Sequence, residues 1–107
     1  MEYKNVRIVV FVPVVDADTL RKAIGDSGAG VIGHYSHCPF SSKGVGRFLP
    51  QEGASPAIGE VGKLEEVEEE RIEFVCPREK VDEVVRVIKD NHPYEEVALD
   101  VYPLLDI

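Results

Sequence analysis

Hydrophobic positions along the chain switch twice from a near-continuous run to a helical spacing, and a proline marks each switch. Val6–Val12 is β-branched and almost uninterrupted in its apolar character. This is the pattern of a central strand covered on at least one face. Pro13 ends the run. Beyond it Asp16 is placed as an N-cap and Asp18 falls in the first turn, while Ala17, Leu20, Ala23 and Ile24 form a helical apolar stripe. Gly28 and Gly30 stop that helix.

The second half repeats the arrangement. Ile72–Cys76 reads as a strand ended by Pro77, and Val81, Val84, Val85, Val87 and Ile88 mark a second helix. When the prolines are aligned, Ala17, Leu20 and Ile24 correspond to Val81, Val84 and Ile88, a weak internal repeat of a βα unit. Each helix is followed by another extended segment, Val31–Phe40 and then Val97–Leu104. The predicted class is α+β, a ferredoxin-like βαββαβ sandwich in which two helices cover one face of a sheet.

Between the repeats, Ser41-Ser42-Lys43-Gly44-Val45-Gly46-Arg47 is predicted as a hairpin turn, its glycines supplying positive φ while Lys43 and Arg47 stay in water. The same residues combine hydroxyls, flexible backbone and two positive charges, so an anion site is the second reading. Pro50–Lys63 carries Gly53, Pro56, Gly59 and Gly62 and reads as a long Gly/Pro-rich loop. A loop of this length within a compact domain is usually functional or disordered.

Composition narrows the function classes. A chain of 107 residues, 44% apolar and 30% charged, fits one globular domain spanning 1–107. A net charge of −8 with scattered basic residues excludes nucleic acid as the expected partner. No run approaches the ~20 apolar residues of a membrane span, and Met1–Arg7 is too polar to open a secretory signal, so the expected location is the cytoplasm. Cys38 and Cys76 have no CxxC spacing and read as small buried hydrophobes. The acidic run Glu65–Glu73 reads as a solvated face.

The strongest chemical signal is Gly33-His34-Tyr35-Ser36-His37-Cys38, three soft-metal donors within five residues. On a strand, His34 and Cys38 would share a face about 13 Å apart and His37 would point away, so one chain could not clamp an ion with all three. A turn near Pro39, copies of a histidine in an oligomer, or a further nitrogen from His92 would be needed. Packing, hydrogen bonding or ligand contact by these histidines is the simpler reading. Cysteine catalysis would need His37 to activate Cys38, and no third group stands at a recognisable spacing to orient it. Asn91-His92-Pro93-Tyr94-Glu95-Glu96 follows the second helix; capping accounts for Asn91, His92 and Pro93, while Tyr94 and the two carboxylates suggest an additional ligand or subunit contact.

His92-Pro93-Tyr94-Glu95 resembles a signature of the CutA-type divalent-ion-tolerance proteins, trimeric ferredoxin-like modules related in architecture to PII signalling proteins. A closer resemblance runs through Gly30–Phe40, Gly44–Phe48 and Gly53–Gly59, which are similar to the PII-like domain inserted in bacterial Nif-three-like (YqfO-type) proteins. It extends through Glu66, Glu69 and Arg71 to Tyr94-Glu95-Glu96 and Tyr102-Pro103-Leu104. The resemblance implies a PII/CutA-like sheet, self-association through sheet edges, and a stand-alone copy of the inserted domain. It also implies that the dinuclear metal of larger Nif-three-like proteins belongs to flanking domains not seen in this sequence. Their hydrolase-like or cyclohydrolase-like activity is therefore not expected here.

The functional expectation is a homo-oligomeric binding or regulatory module, a trimer, for a small ligand: an anion, a nucleotide or a divalent metal. Gly33, Tyr35, Lys43, Gly44, Gly46, Arg47, Tyr94 and Glu95 are the candidate ligand contacts, with His34, His37, Cys38 and His92 as candidate metal donors. No cofactor is implied beyond a divalent transition metal at those donors. The alternatives are a small metal-dependent hydrolase using a histidine-bound ion, and a purely structural trimerisation module.

Overall fold

The apolar run after the N-terminus becomes strand β1, Asn5–Pro13, at the centre of the sheet. The computed structural model describes residues 3–107. Helix α1 spans Val14–Asp26, β2 spans Phe40–Phe48, β3 spans Glu65–Pro77, α2 spans Val81–Asp90 after a single 3-10 turn at Arg78–Lys80, and β4 spans Leu99–Pro103. The sheet order is β2-β3-β1-β4, with every neighbouring pair antiparallel. The predicted βαββαβ order is the observed one.

Strand alternation decides which face the helices cover. Val6, Ile8, Val10 and Val12 of β1 and Ile72, Phe74 and Cys76 of β3 point to one side. They meet Ala17, Leu20 and Ile24 of α1 and Val84 and Ile88 of α2 in a single buried cluster. Fully burying one such aliphatic or aromatic side chain is worth about 1.5–3 kcal/mol, so this cluster is the main source of stability. The aligned prolines adopt nearly the same geometry, φ −54°, ψ 141° at Pro13 and φ −59°, ψ 138° at Pro77, each leading directly into helical turns. The βα repeat seen in the sequence is thus a repeat of conformation.

Several local expectations are corrected. Helix α1 starts at Val14, so Asp16 lies within its first turn, complementing the helix dipole, instead of capping it. Val31–Phe40 is not a strand: Ile32 and Tyr35 exchange backbone hydrogen bonds of 2.8 and 2.9 Å around Gly33-His34, with Gly33 at φ 57°. Glycine in the first central position of such a two-residue turn supplies the positive φ it requires. The strand begins at Phe40, so Ser41–Arg47, expected as a turn, is strand β2. Its pairing with the acidic half of β3 sets Gly44 opposite Glu69 and Gly46 opposite Val67. That pairing also places Glu65–Glu73 within β3, where Glu69 and Glu70 are buried although Glu66 and Glu68 remain exposed. The final strand is shorter than expected, Leu99–Pro103.

Glu70 shares the helix-covered face with Ile72 and is met there by the Arg21 guanidinium of α1, which also pairs with Asp18 and donates to Ser41 Oγ at 3.2 Å. Glu69 points to the opposite, uncovered face. The long segment between β2 and β3 is irregular, as expected, and is tied at its ends by Gly62 N–H donating to the Pro50 carbonyl at 2.8 Å.

Candidate functional site

The uncovered sheet face beside β2 forms one wall of a groove of about 700 Å³. Phe11, Phe48, Glu69 and Arg71 contribute from the sheet, Pro56, Ala57 and Ile58 from the β2–β3 loop, and Tyr94, Glu95 and Glu96 from the segment after α2. The volume lies within the range of small-ligand pockets. The walls come from three parts of the chain, and hydrogen bonds fix their relation. Ser55 N–H donates to Glu95 Oε1 at 2.8 Å, joining the loop to the segment after α2.

His92 holds that segment to the sheet. Its Nδ1 accepts from the Tyr94 N–H at 3.1 Å, which leaves the proton of the neutral ring on Nε2, where it is donated to the Phe11 carbonyl at 2.7 Å. The imidazole is buried, and its ring centroid lies 5.1 Å from that of Tyr94. The Tyr94 ring in turn meets Phe48 edge-on at 5.7 Å. This placement lets the Tyr94 hydroxyl donate to Glu69 Oε2 at 2.9 Å. Burial pushes the Tyr94 phenol well above its usual pKa, and its bond to the Glu69 carboxylate adds to the shift.

Glu69 is only 8% exposed. Gly46 makes room for it, since a Cβ there would fall within its carboxylate, whereas a Cβ on Gly44, the residue directly opposite Glu69, would meet nothing within 4 Å and would project into open space. Among the described residues no Lys, Arg or His pairs with Glu69. Nearby Arg71 instead donates to Glu73 Oε2 at 3.2 Å and lies over the Phe11 ring.

Of the eight residues singled out for ligand contact, Lys43, Gly44, Gly46, Arg47, Tyr94 and Glu95 all line this groove. Strand alternation nevertheless places the side chains of Lys43 and Arg47 on the other face of β2 from Gly44, Gly46 and Phe48, and Arg47 faces Glu66 at 3.6 Å. Gly33 and Tyr35 lie away from the groove in the tight turn, with Tyr35 largely exposed. Glu69, Phe48 and Phe11 are not among those eight, although Glu69 and Phe48 fall in the segments that carry the resemblance. Glu69 was concealed in a run of like charges, and the signal that would have exposed it is the period-two facing of β3 against the glycines of β2.

The candidate metal donors are not brought together. His37 Nε2 meets Asp26 Oδ1 at 3.1 Å, its Nδ1 meets Ser36 Oγ at 2.9 Å, and Cys38 Sγ donates to the Ser36 carbonyl. His34 is exposed in the turn, while both His92 nitrogens are engaged beside Phe11. Among the described residues no three His, Cys, Asp or Glu side chains are grouped to hold an ion. His37 has φ 56°, and its ring occupies the space that a Cβ on Gly25 would take. The Asp26 carboxyl is held below its usual pKa by hydrogen bonds from Lys22 and from His37. Cys76 is buried in the core, and burial raises its thiol pKa.

No family model matches the chain. The protein named GTP cyclohydrolase 1 type 2 homolog from Bacillus subtilis is 50% identical over 98 residues, covering 92% of this chain and 26% of that protein. A Bacillus cereus protein related to NIF3 superposes with a TM-score of 0.84 at 52% identity, over 97% of this chain and 26% of the other. The periplasmic divalent cation tolerance protein CutA from Archaeoglobus fulgidus gives a TM-score of 0.69 at 20% identity, over 94% of this chain and 83% of that one, a likeness of fold. The chain therefore spans about a quarter of the length of the curated relatives it matches. No helix among the described residues is long and apolar enough to cross a membrane.

Proposed function

Because the chain is a NIF3-type, CutA-like domain, we propose that it works as a binding or regulatory module for a small ligand, received in the groove between β2, the β2–β3 loop and Tyr94–Glu96. The observation that carries this reading is the groove itself: ligand-sized, built from three chain segments, and holding a nearly buried carboxylate with no cationic partner among the described residues. A concave, largely apolar site with a few convergent polar groups is the usual form of a small-molecule pocket. The chain matches only about a quarter of each named relative, so the proposal assigns it binding and not the conversion their name implies.

The module is further proposed to act as a homo-oligomer, with a trimer as the expected state, in the cytoplasm. Both outer strands favour self-association. β2 and β4 each leave one edge unpaired, and Phe40 and Val45 on one and Val101 and Tyr102 on the other are exposed. A metal site built from His34, His37 or Cys38 would need donors from a second copy, since one chain does not group them.

Heteronuclear NMR of labelled protein titrated with small aromatic compounds, nucleotides and divalent ions tests the groove. Perturbations confined to Gly44–Phe48, Ala54–Ile58 and Tyr94–Glu96 support it, and binding that leaves all of these unmoved refutes it. Light scattering at micromolar concentration tests the trimer, which a monomer there would rule out.

A further inference from the structure

We infer that the groove selects a planar ligand bearing a cationic or strongly hydrogen-bond-donating nitrogen edge, of amidine or aminoheterocycle type, with Glu69 as the residue that reads it. This rests on the groove reading above and adds a chemical class to it. Glu69 is 8% exposed, and among the described residues its carboxylate takes one hydrogen bond, from the Tyr94 hydroxyl to Oε2. Oε1 lies on the Gly46 side and has no donor among the described residues. An ionised carboxylate has room for about four donors, so most of this group's accepting capacity is unused.

The neighbours decide the shape of what could use it. Gly44 and Gly46 leave the β2 wall without side chains beside the carboxylate, and a Cβ on Gly44 would extend into open space. Phe48 and Tyr94, with centroids 5.7 Å apart, supply aromatic surface next to it. A flat ring fits against such surface, and a planar pair of N–H groups matches a carboxylate in the way a guanidinium does.

Charge points the same way. Arg71, two residues along β3 on the same face, donates to Glu73, which it shares with Arg7, while Lys43 and Arg47 alternate to the other face of β2. Glu95 and Glu96 add two more carboxylates to the lining, so a ligand group seated at Glu69 is favoured when it is a cation or donor and repelled when it is an anion.

The test compares benzamidine, benzamide and benzoate, three molecules of nearly one shape and different charge, binding to the full chain by NMR titration. Benzamidine is expected to bind at least about tenfold more tightly than benzamide, as a charge-assisted hydrogen bond implies, with benzoate weakest. Glu69→Gln, whose amide oxygen still accepts from Tyr94, should remove that preference. Gly44→Val should fill the groove and weaken all three probes. Benzoate binding as well as benzamidine in the wild-type protein would overturn the inference without needing any variant. An undiminished benzamidine preference in Glu69→Gln would also overturn it, provided Gly44→Val still blocks the probes; in either case the groove reading survives. If no probe binds, the inference fails alone; if the probes bind but leave the groove residues unmoved, or bind equally to Gly44→Val, the groove reading itself fails and the inference with it.

Discussion

The Tyr94 hydroxyl donates to Glu69 Oε2 across 2.9 Å, joining the segment after α2 to the middle of β3. Neither residue belongs to the hydrophobic cluster under the helices, so this bond organises the groove without being required for the core. Its strength is coupled to protonation, because burial and the adjacent carboxylate both disfavour the phenolate.

A raised pKa in the folded state makes Tyr94 a source of pH-dependent stability. In the unfolded chain the phenol ionises near its ordinary value of about 10. The contribution is therefore fully present below about pH 10 and is lost as pH rises from there through the folded-state value. Denaturant unfolding between about pH 9 and about pH 11 should show a steeper loss for the wild-type protein than for Tyr94→Phe. The difference in near-ultraviolet absorbance between the two should show phenolate forming only above the ordinary tyrosine range. Equal slopes would mean that Tyr94 is not held as described.

Gly46→Ala should disturb the same bond from the other side. The new methyl falls within the Glu69 carboxylate, which is the mobile end of a side chain and can swing away at the expense of the Tyr94 contact. Alanine gains about 0.5–1 kcal/mol over glycine in a strand, while a hydrogen bond to a charged group is worth about 1.5–3 kcal/mol. The expected net loss is about 1 kcal/mol, read from denaturant midpoints. In a Tyr94→Phe background the same change should cost nothing or stabilise, because the bond it breaks is already absent.

The scaffold was more legible than the site, for a physical reason. Val6–Val12, Ile72–Cys76 and the stripes ending at Ile24 and Ile88 announce themselves because burial demands apolar residues at fixed periods. β2 carries no such demand. It is an edge strand in which Phe40, Val45 and Phe48 stand among Ser, Lys, Gly and Arg at no strand period, and its conformation is imposed by pairing with β3, a contact across the chain that local pattern does not encode. Misplacing that strand onto Val31–Phe40 also hid the relation between Gly46 and Glu69. The residues named for ligand contact from Lys43 to Arg47 and at Tyr94-Glu95 nonetheless line one groove, whereas the His34, His37, Cys38 and His92 set depended on a geometry the turn at Gly33 does not provide.

Arg21 should matter through Glu70, which is 7% exposed on the helix-covered face. The guanidinium links α1 to both β3 and β2, through Glu70 and Ser41 Oγ. Arg21→Met keeps much of the stem and leaves the Glu70 carboxylate without its cation, a change expected to cost about 1.5–3 kcal/mol. Adding Glu70→Met should recover most of the loss, because removing one member of a buried pair is worse than replacing both with apolar groups. A double-mutant cycle by thermal unfolding measures this; additive effects would mean the pair is not coupled.

His92 is expected to set the position of Tyr94 through two bonds made by one ring, Nε2–H to the Phe11 carbonyl and Nδ1 from the Tyr94 N–H. Alanine at this position cannot make either. The Tyr94 N–H loses its acceptor, and the ring contact between His92 and Tyr94 disappears. The loss should be about 1–3 kcal/mol, lowering Tm by roughly 4–8 °C per kcal/mol for a domain of this size. A second effect separates anchoring from simple packing. If His92 positions Tyr94, His92→Ala should move the amide resonances of Ser55 and Gly46 and lower the Tyr94 phenol pKa toward its ordinary value, since the bond to Glu69 loosens. If Tm falls but those resonances and the tyrosine titration stay unchanged, His92 contributes packing alone, and the groove's geometry must be held by the Ser55–Glu95 bond instead.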